Sequence, residues 1–150
     1  MTKLLPFLIL ISTYSFSQSF GDHKNQVINN NRNYAEITND FIRYDYRGSG
    51  SMNSASTYYY LNGENRVSQV MFLSKYRSES DAKSDLRNKV NEHRNQHPSE
   101  EFSTIKNGFF GVPEVRFVGN TFITVFAVVR AGGLYGFVTS ISHTKLSSIK

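Results

Sequence analysis

Thr121-Phe-Ile-Thr-Val-Phe-Ala-Val-Val-Arg130 is the stretch on which the fold turns. In an extended chain Phe122, Thr124, Phe126 and Val128 fall on one side, and Ile123, Val125, Ala127 and Val129 on the other. A strand with one face in water alternates apolar with polar residues, whereas this one is apolar on both sides. Each side therefore needs cover.

Its neighbours place it inside a sheet. Gly132-Gly133 leads into a second apolar strand, Leu134 to Ser142, and Gly119-Asn120 links back to Glu114 to Val118. Three strands joined by such short turns make an antiparallel meander. Phe102 to Lys106, followed by Asn107-Gly108, supplies a further strand and hairpin signal. Upstream, Ser78-Glu-Ser-Asp81 opens a long helix, with either serine able to cap its free N–H groups. Ala82, Leu86, Val90 and His93 form one stripe at helical spacing, Lys83, Arg87, Lys89 and Arg94 mostly face elsewhere, and Pro98 ends the helix.

Before that helix, Arg66 to Tyr76 and Thr57 to Leu61 read as strands around a tight Asn62-Gly63 turn. Gly48 to Ser56 lacks periodicity and reads as a mobile loop. Ile42, Tyr44 and Tyr46 alternate with Arg43, Asp45 and Arg47 as in a half-buried strand. Tyr34, Ile37 and Phe41 stand at helical spacing. No internal repeat is visible. The long helix can cover only one side of the central strand, so the other layer is expected from the Tyr34 to Phe41 segment and from Leu146 and Ile149. The fold class expected is α+β: a central antiparallel sheet with one long amphipathic helix on one face and shorter N- and C-terminal helices on the other, a three-layer α/β/α sandwich.

The N-terminus reads as an address. Lys3, an apolar run from Leu4 to Phe16 and a small-x-small site ending at Ser17 are the parts of a cleavable secretory signal. The run is too short for a membrane-spanning helix, which needs roughly 20 apolar residues, so no transmembrane anchor is expected. Without cysteine, lipoprotein-type attachment, a disulfide framework and thiolate metal sites are all excluded. The reading divides the chain into residues 1–17 as signal peptide, 18–33 as a polar, flexible segment, and 34–150 as a single domain. No Asn-x-Ser/Thr acceptor occurs either. Both absences lean toward a bacterial protein, periplasmic or extracellular after cleavage. The formal charge of +5 becomes +4 once Lys3 is removed. The basic residues are scattered, mostly with an acidic residue close by, so the charge reads as a solvated surface and no nucleic-acid partner is expected.

Several of these pieces resemble the PsbP-like α/β/α sandwich family. The likeness runs over about residues 57 to 142. It is strongest from Thr124 to Ser140, where an apolar strand passes through a glycine turn into a strand with Tyr135 and Val138, and at the helix start from Ser78 to Lys83. The family's opening element with Pro and Trp has no counterpart here. The resemblance implies a non-catalytic accessory or binding protein and transfers no catalytic set.

Two groups of residues are candidates for function. His93 and His97, four apart on the helix, put both imidazoles on one face as a metal site would. They lack the internal Glu of metalloprotease helices and a third ligand nearby, so a helix-capping role for His97 is the plainer reading. No phosphate-cradling loop and no nucleophile elbow is present, and no cofactor is expected. The second group is Arg43, Tyr44, Tyr46 and Arg47 with Tyr58 and Tyr60. Tyr and Arg together make interface anchors, and aromatic strands beside basic side chains stack rings. Consecutive strand residues face opposite ways, so at least one of Tyr58, Tyr59 and Tyr60 belongs to the core. The expected function is that of a secreted, non-catalytic binding or accessory protein of the bacterial envelope with a protein or small-molecule partner. The alternative is a small envelope enzyme, a metal-dependent hydrolase, using His93 and His97.

Overall fold

The computed structural model describes residues 20–144. The expected signal segment, and Leu146 and Ile149 with it, lie outside the described residues. In chain order the elements are α1 (Lys24–Asn30), β1 (Glu36–Ile37), β2 (Phe41–Arg47), β3 (Met52–Leu61), β4 (Val67–Tyr76), α2 (Glu79–Gln96), β5 (Glu101–Ile105), β6 (Glu114–Val118), β7 (Phe122–Ala131) and β8 (Leu134–His143). The strands form one eight-stranded sheet in the order β1-β2-β3-β4-β8-β7-β6-β5, antiparallel throughout. Each half of the chain is thus a helix followed by a four-stranded meander. The two meanders join through their last strands, where Leu73 pairs with Val138.

Register settles which side each residue takes, because side chains directly opposite across antiparallel strands share a face. One row runs Ile42, Tyr59, Val70, Ile141, Thr124, Phe117, Phe102. Both helices lie on this face. Val27 of α1 packs on Ile42, Tyr44, Val67 and Val70. Ala82 of α2, with Leu86 and Val90 beside it, packs on Tyr76, Phe117, Phe126 and Phe137. Alanine at position 82 lets the helix approach closely, and Tyr76 fastens it by donating its hydroxyl to Asp85 Oδ2 at 2.6 Å. Burial and this acceptor raise the Tyr76 pKa, keeping the phenol protonated.

This overturns the three-layer sandwich. Tyr34 to Phe41 forms no helix: Ile37 lies in β1 and Phe41 opens β2, because the segment hairpins onto Ile42 instead of crossing the far face. The short N-terminal helix comes earlier, inside the stretch expected to be flexible. His23 Nδ1 accepts from the Asn25 N–H and Gln26 Oε1 from the His23 N–H, and the helix sits on the same side as α2. The helices therefore form one layer and the sheet the other. The inference that β7 is shielded on both sides nevertheless agrees with the structure, since Phe126 is 3% exposed and Ala127, facing the other way, 0%. On the helix-free side Ala127 stands between the taller Glu114 and Val138.

Two turns also differ. Gly132 and Gly133 both take positive φ, as a two-residue hairpin requires. Asn62-Gly63 is instead the start of a longer loop: the Asn62 side chain accepts from Glu64 and Arg66 N–H, and Asn65 takes the left-handed position. The loop expected from Gly48 to Ser56 is shorter, because β3 starts at Met52.

Candidate functional site

The helix-free face of β2, β3 and β4 gathers the aromatic and charged residues. Three rows cross it: Phe41, Tyr60, Gln69; then Arg43, Tyr58, Met71; then Asp45, Ser56, Leu73. Tyr58 and Tyr60, two apart on β3, stack with ring centroids 6.0 Å apart and planes within 14°. Phe41 meets both edge-on, at 5.6 and 6.0 Å. Two parallel phenols met edge-on by a third ring make an aromatic platform on this face. Desolvation, and then the neighbouring Tyr58, raise the Tyr60 pKa, so its hydroxyl remains a neutral donor and acceptor.

Cations border this platform. Arg43 pairs with Glu36 at 2.7 Å, and its Nε, 3.2 Å from Asp45 Oδ1 but poorly aligned with it, is buried without a hydrogen bond among the described residues. Asp45 is held in turn by the Ser56 hydroxyl at 2.7 Å. A hollow of about 240 Å³ opens between Arg43, Asp45, Ser56, Tyr58 and Lys75. Lys75 lies opposite Ser54, which pairs with Arg47 across β2. Arg47 and Lys75 enter no ion pair among the described residues. The arrangement can hold a planar or cyclic group on the rings and an acidic substituent beside it.

Of the residues singled out from sequence, the structure brings four together here: Arg43, Arg47, Tyr58 and Tyr60. Tyr44 and Tyr46 point to the opposite side. Tyr44 is 2% exposed and donates its hydroxyl to the carbonyls of Asn31 and Val27, which ties down the end of α1. Burial pushes its pKa up to about 12. It is a core residue, and so in large part is Tyr59, which packs on Ile42, Tyr44, Val67 and Val70. Sequence reading missed Phe41 and Lys75. The helical spacing of Tyr34, Ile37 and Phe41 hides Phe41, and its place in the alternation that continues through Arg43 is the signal for it.

His93 and His97 stand on the helical side of the other half of the sheet, at the end of α2. Their rings lie 4.5 Å apart. Glu100 reaches back to both, with Oε2 at 2.7 Å from His93 Nε2 and Oε1 at 3.7 Å from His97 Nδ1. His97 is the C-cap of α2, its backbone N–H bonded to the His93 carbonyl. His93 also packs on Phe117 and Phe126, at 4.6 and 5.5 Å. Among the described residues no group of three or more His, Cys, Asp and Glu could hold a metal ion. The arrangement is a clasp joining the helix end to the α2–β5 turn.

The clasp carries a pH dependence. Desolvation lowers the His93 pKa below its ordinary value of 6.5, with His97 assisting and Glu100 opposing. The unfolded chain therefore binds a proton that the folded chain refuses. The stability due to neutral His93 is complete above about pH 6.5 and is lost as pH falls through that value toward the folded pKa. Unfolding free energy should drop between pH 7 and 5, and drop less steeply in His93→Gln. Parallel urea titrations check this; identical slopes would exclude the effect.

No helix among the described residues is long and apolar enough to cross a membrane. No family model, curated protein or solved structure matches the chain.

Proposed function

We propose that the chain is an exported, non-catalytic binding or accessory protein of the bacterial cell envelope whose ligand lies on the helix-free face of β2–β4. The observation that carries this reading is the stacked Tyr58–Tyr60 pair on a face without a helix, bordered by Arg43, Arg47 and Lys75. A half-exposed aromatic platform beside cations recognises a ring bearing an acidic group. In the envelope an acidic saccharide answers to that description. The hollow is smaller than the roughly 300–1,000 Å³ of a drug-sized pocket, which suits one ring of a longer chain rather than an enclosed ligand.

The chain has no tryptophan, so tyrosine emission can follow the titration directly. An acidic oligosaccharide should perturb the emission, and its neutral counterpart should bind more weakly. Tyr58→Ala with Tyr60→Ala should weaken binding by about tenfold or more, since stacking on one ring is worth roughly 1–3 kcal/mol. Tyr34→Ala, an exposed tyrosine outside the hollow, should leave it unchanged. Equal affinity in all three proteins would remove the platform from the function.

A further inference from the structure

We propose that the end of the sheet carrying the β5–β6 loop docks on a lipid bilayer with anionic headgroups, Phe109 entering the interface. The loop reads Lys106-Asn-Gly-Phe-Phe-Gly-Val-Pro113. Phe109 is 77% exposed, the most exposed large apolar side chain among the described residues, and its ring packs edge-on against Phe110. A lone exposed apolar residue is ordinary. This one is presented by a built support. Glu114 is 1% exposed, and its Oε2 accepts the Phe109 N–H at 2.8 Å. Gly108 donates to Val112 and Gly111 to Gly108 across the loop. Gly108 lies so close over the Glu114 carboxyl that any Cβ there would collide with it. A buried carboxylate is costly, and here it holds a phenylalanine out in water.

Charge is arranged around the same end. Strand order places this loop one strand from the β7–β8 turn and, further along the same end of the sheet, the β4–α2 link, so that Arg130 and then Arg77 follow its own Lys106. The acidic residues there are Asp81 and Glu79, the latter paired with Lys83 at 2.7 Å. The opposite end carries Asp22, Asp40, Glu64, Glu100 and Glu101. The apolar tip thus has Lys106 and Arg130 nearest it, while at the far end the acids are mixed with Lys24, Arg66 and Arg94. The three cations come from three separate connections. A planar surface of mobile negative charge can meet all of them at once, whereas a folded partner would need a matched carboxylate for each. One inserted ring with a basic surround gives reversible attachment that depends on both signals.

Phe109→Trp in the full-length chain introduces the only tryptophan, so its emission reports the loop alone. Adding phosphatidylcholine vesicles that contain phosphatidylglycerol should shift this emission to the blue and shield it from acrylamide. Phosphatidylcholine alone should do neither, and salt should weaken the response. Lys106→Glu with Arg130→Glu should raise the lipid needed for half the shift by about tenfold. A control Phe122→Trp, at the opposite end and outside the aromatic platform, should stay unshifted even if the apolar N-terminal segment finds the vesicle. Emission at position 109 that ignores the anionic vesicles would overturn the proposal. An equal shift with soluble polyglutamate would overturn it too, assigning this end to an acidic peptide.

Discussion

Phe117→Ala is expected to destabilise the protein by about 3–5 kcal/mol, the range for emptying a buried aromatic site. Phe117 is 1% exposed and lies under α2, with the rings of His93, Phe102 and Phe126 at 4.6, 5.2 and 6.0 Å. The site cannot close over the gap. Its strand is paired on one side to β5 and on the other to β7, so the backbone is fixed. The helix is fixed as well, by Ala82 and by the Tyr76–Asp85 bond. A domain of this size has about 5–15 kcal/mol of stability in all, so the variant should lose a large share. Urea unfolding would show a lower midpoint at unchanged slope. Phe117→Leu, which keeps much of the volume, should cost less than about 1.5 kcal/mol. A loss below about 1 kcal/mol for the alanine variant would mean that α2 does not seal this face.

The contrast between Phe117 and Tyr58 is the physical content of the fold. Both are aromatic strand residues, yet they lie on opposite faces of one sheet, the first under a helix and the second without one. Sequence period shows which residues share a side of a strand, and it placed β2, β4 and β6–β8 to within a few residues. It also showed that Tyr58, Tyr59 and Tyr60 cannot all serve the same purpose. It does not show on which side of the sheet a helix will land. That depends on how β4 and β8 pair, a contact between residues 69 and 142 that no local pattern encodes. The three-layer expectation failed at that step. Two apolar sides were taken to require two helical layers, whereas Ala127, being small, is shielded by Glu114 and Val138 beside it.

The proposed binding surface was legible by composition and not by orientation. Arg43, Arg47, Tyr58 and Tyr60 share a face because they stand an even number of residues apart along a strand or pair across strands. Tyr44 and Tyr46 were grouped with them on proximity in sequence, and the same period-two rule puts them on the side of α1. His93 was visible both as a stripe residue and as a metal candidate. Glu100, three residues after the helix breaks, comes back to the imidazole through the turn at Pro98, and spacing along the helix could not reveal it.

Arg116→Leu should be the most damaging single change outside the aromatic core, yet Glu114→Leu with Arg116→Leu should be milder than that single change. Glu114 is wholly buried, and Arg116 donates to its Oε1 at 2.6 Å. Removing one partner of a fully buried pair costs about 3–5 kcal/mol, because the remaining charge stays desolvated. The Arg116 side chain is 34% exposed, so water already screens the pair and about 2–3 kcal/mol is the expected loss. Replacing both partners by apolar groups removes the stranded charge, and such exchanges are often neutral. The double variant retains one defect, the Phe109 N–H without its acceptor. Its amide should therefore exchange faster with solvent while the core amides of β7 keep their protection. This separates the two jobs of Glu114: its charge is matched to Arg116, and its second oxygen shapes the loop that carries Phe109. A double variant that unfolds more readily than Arg116→Leu would show that the ion pair itself is net stabilising, against the argument from desolvation.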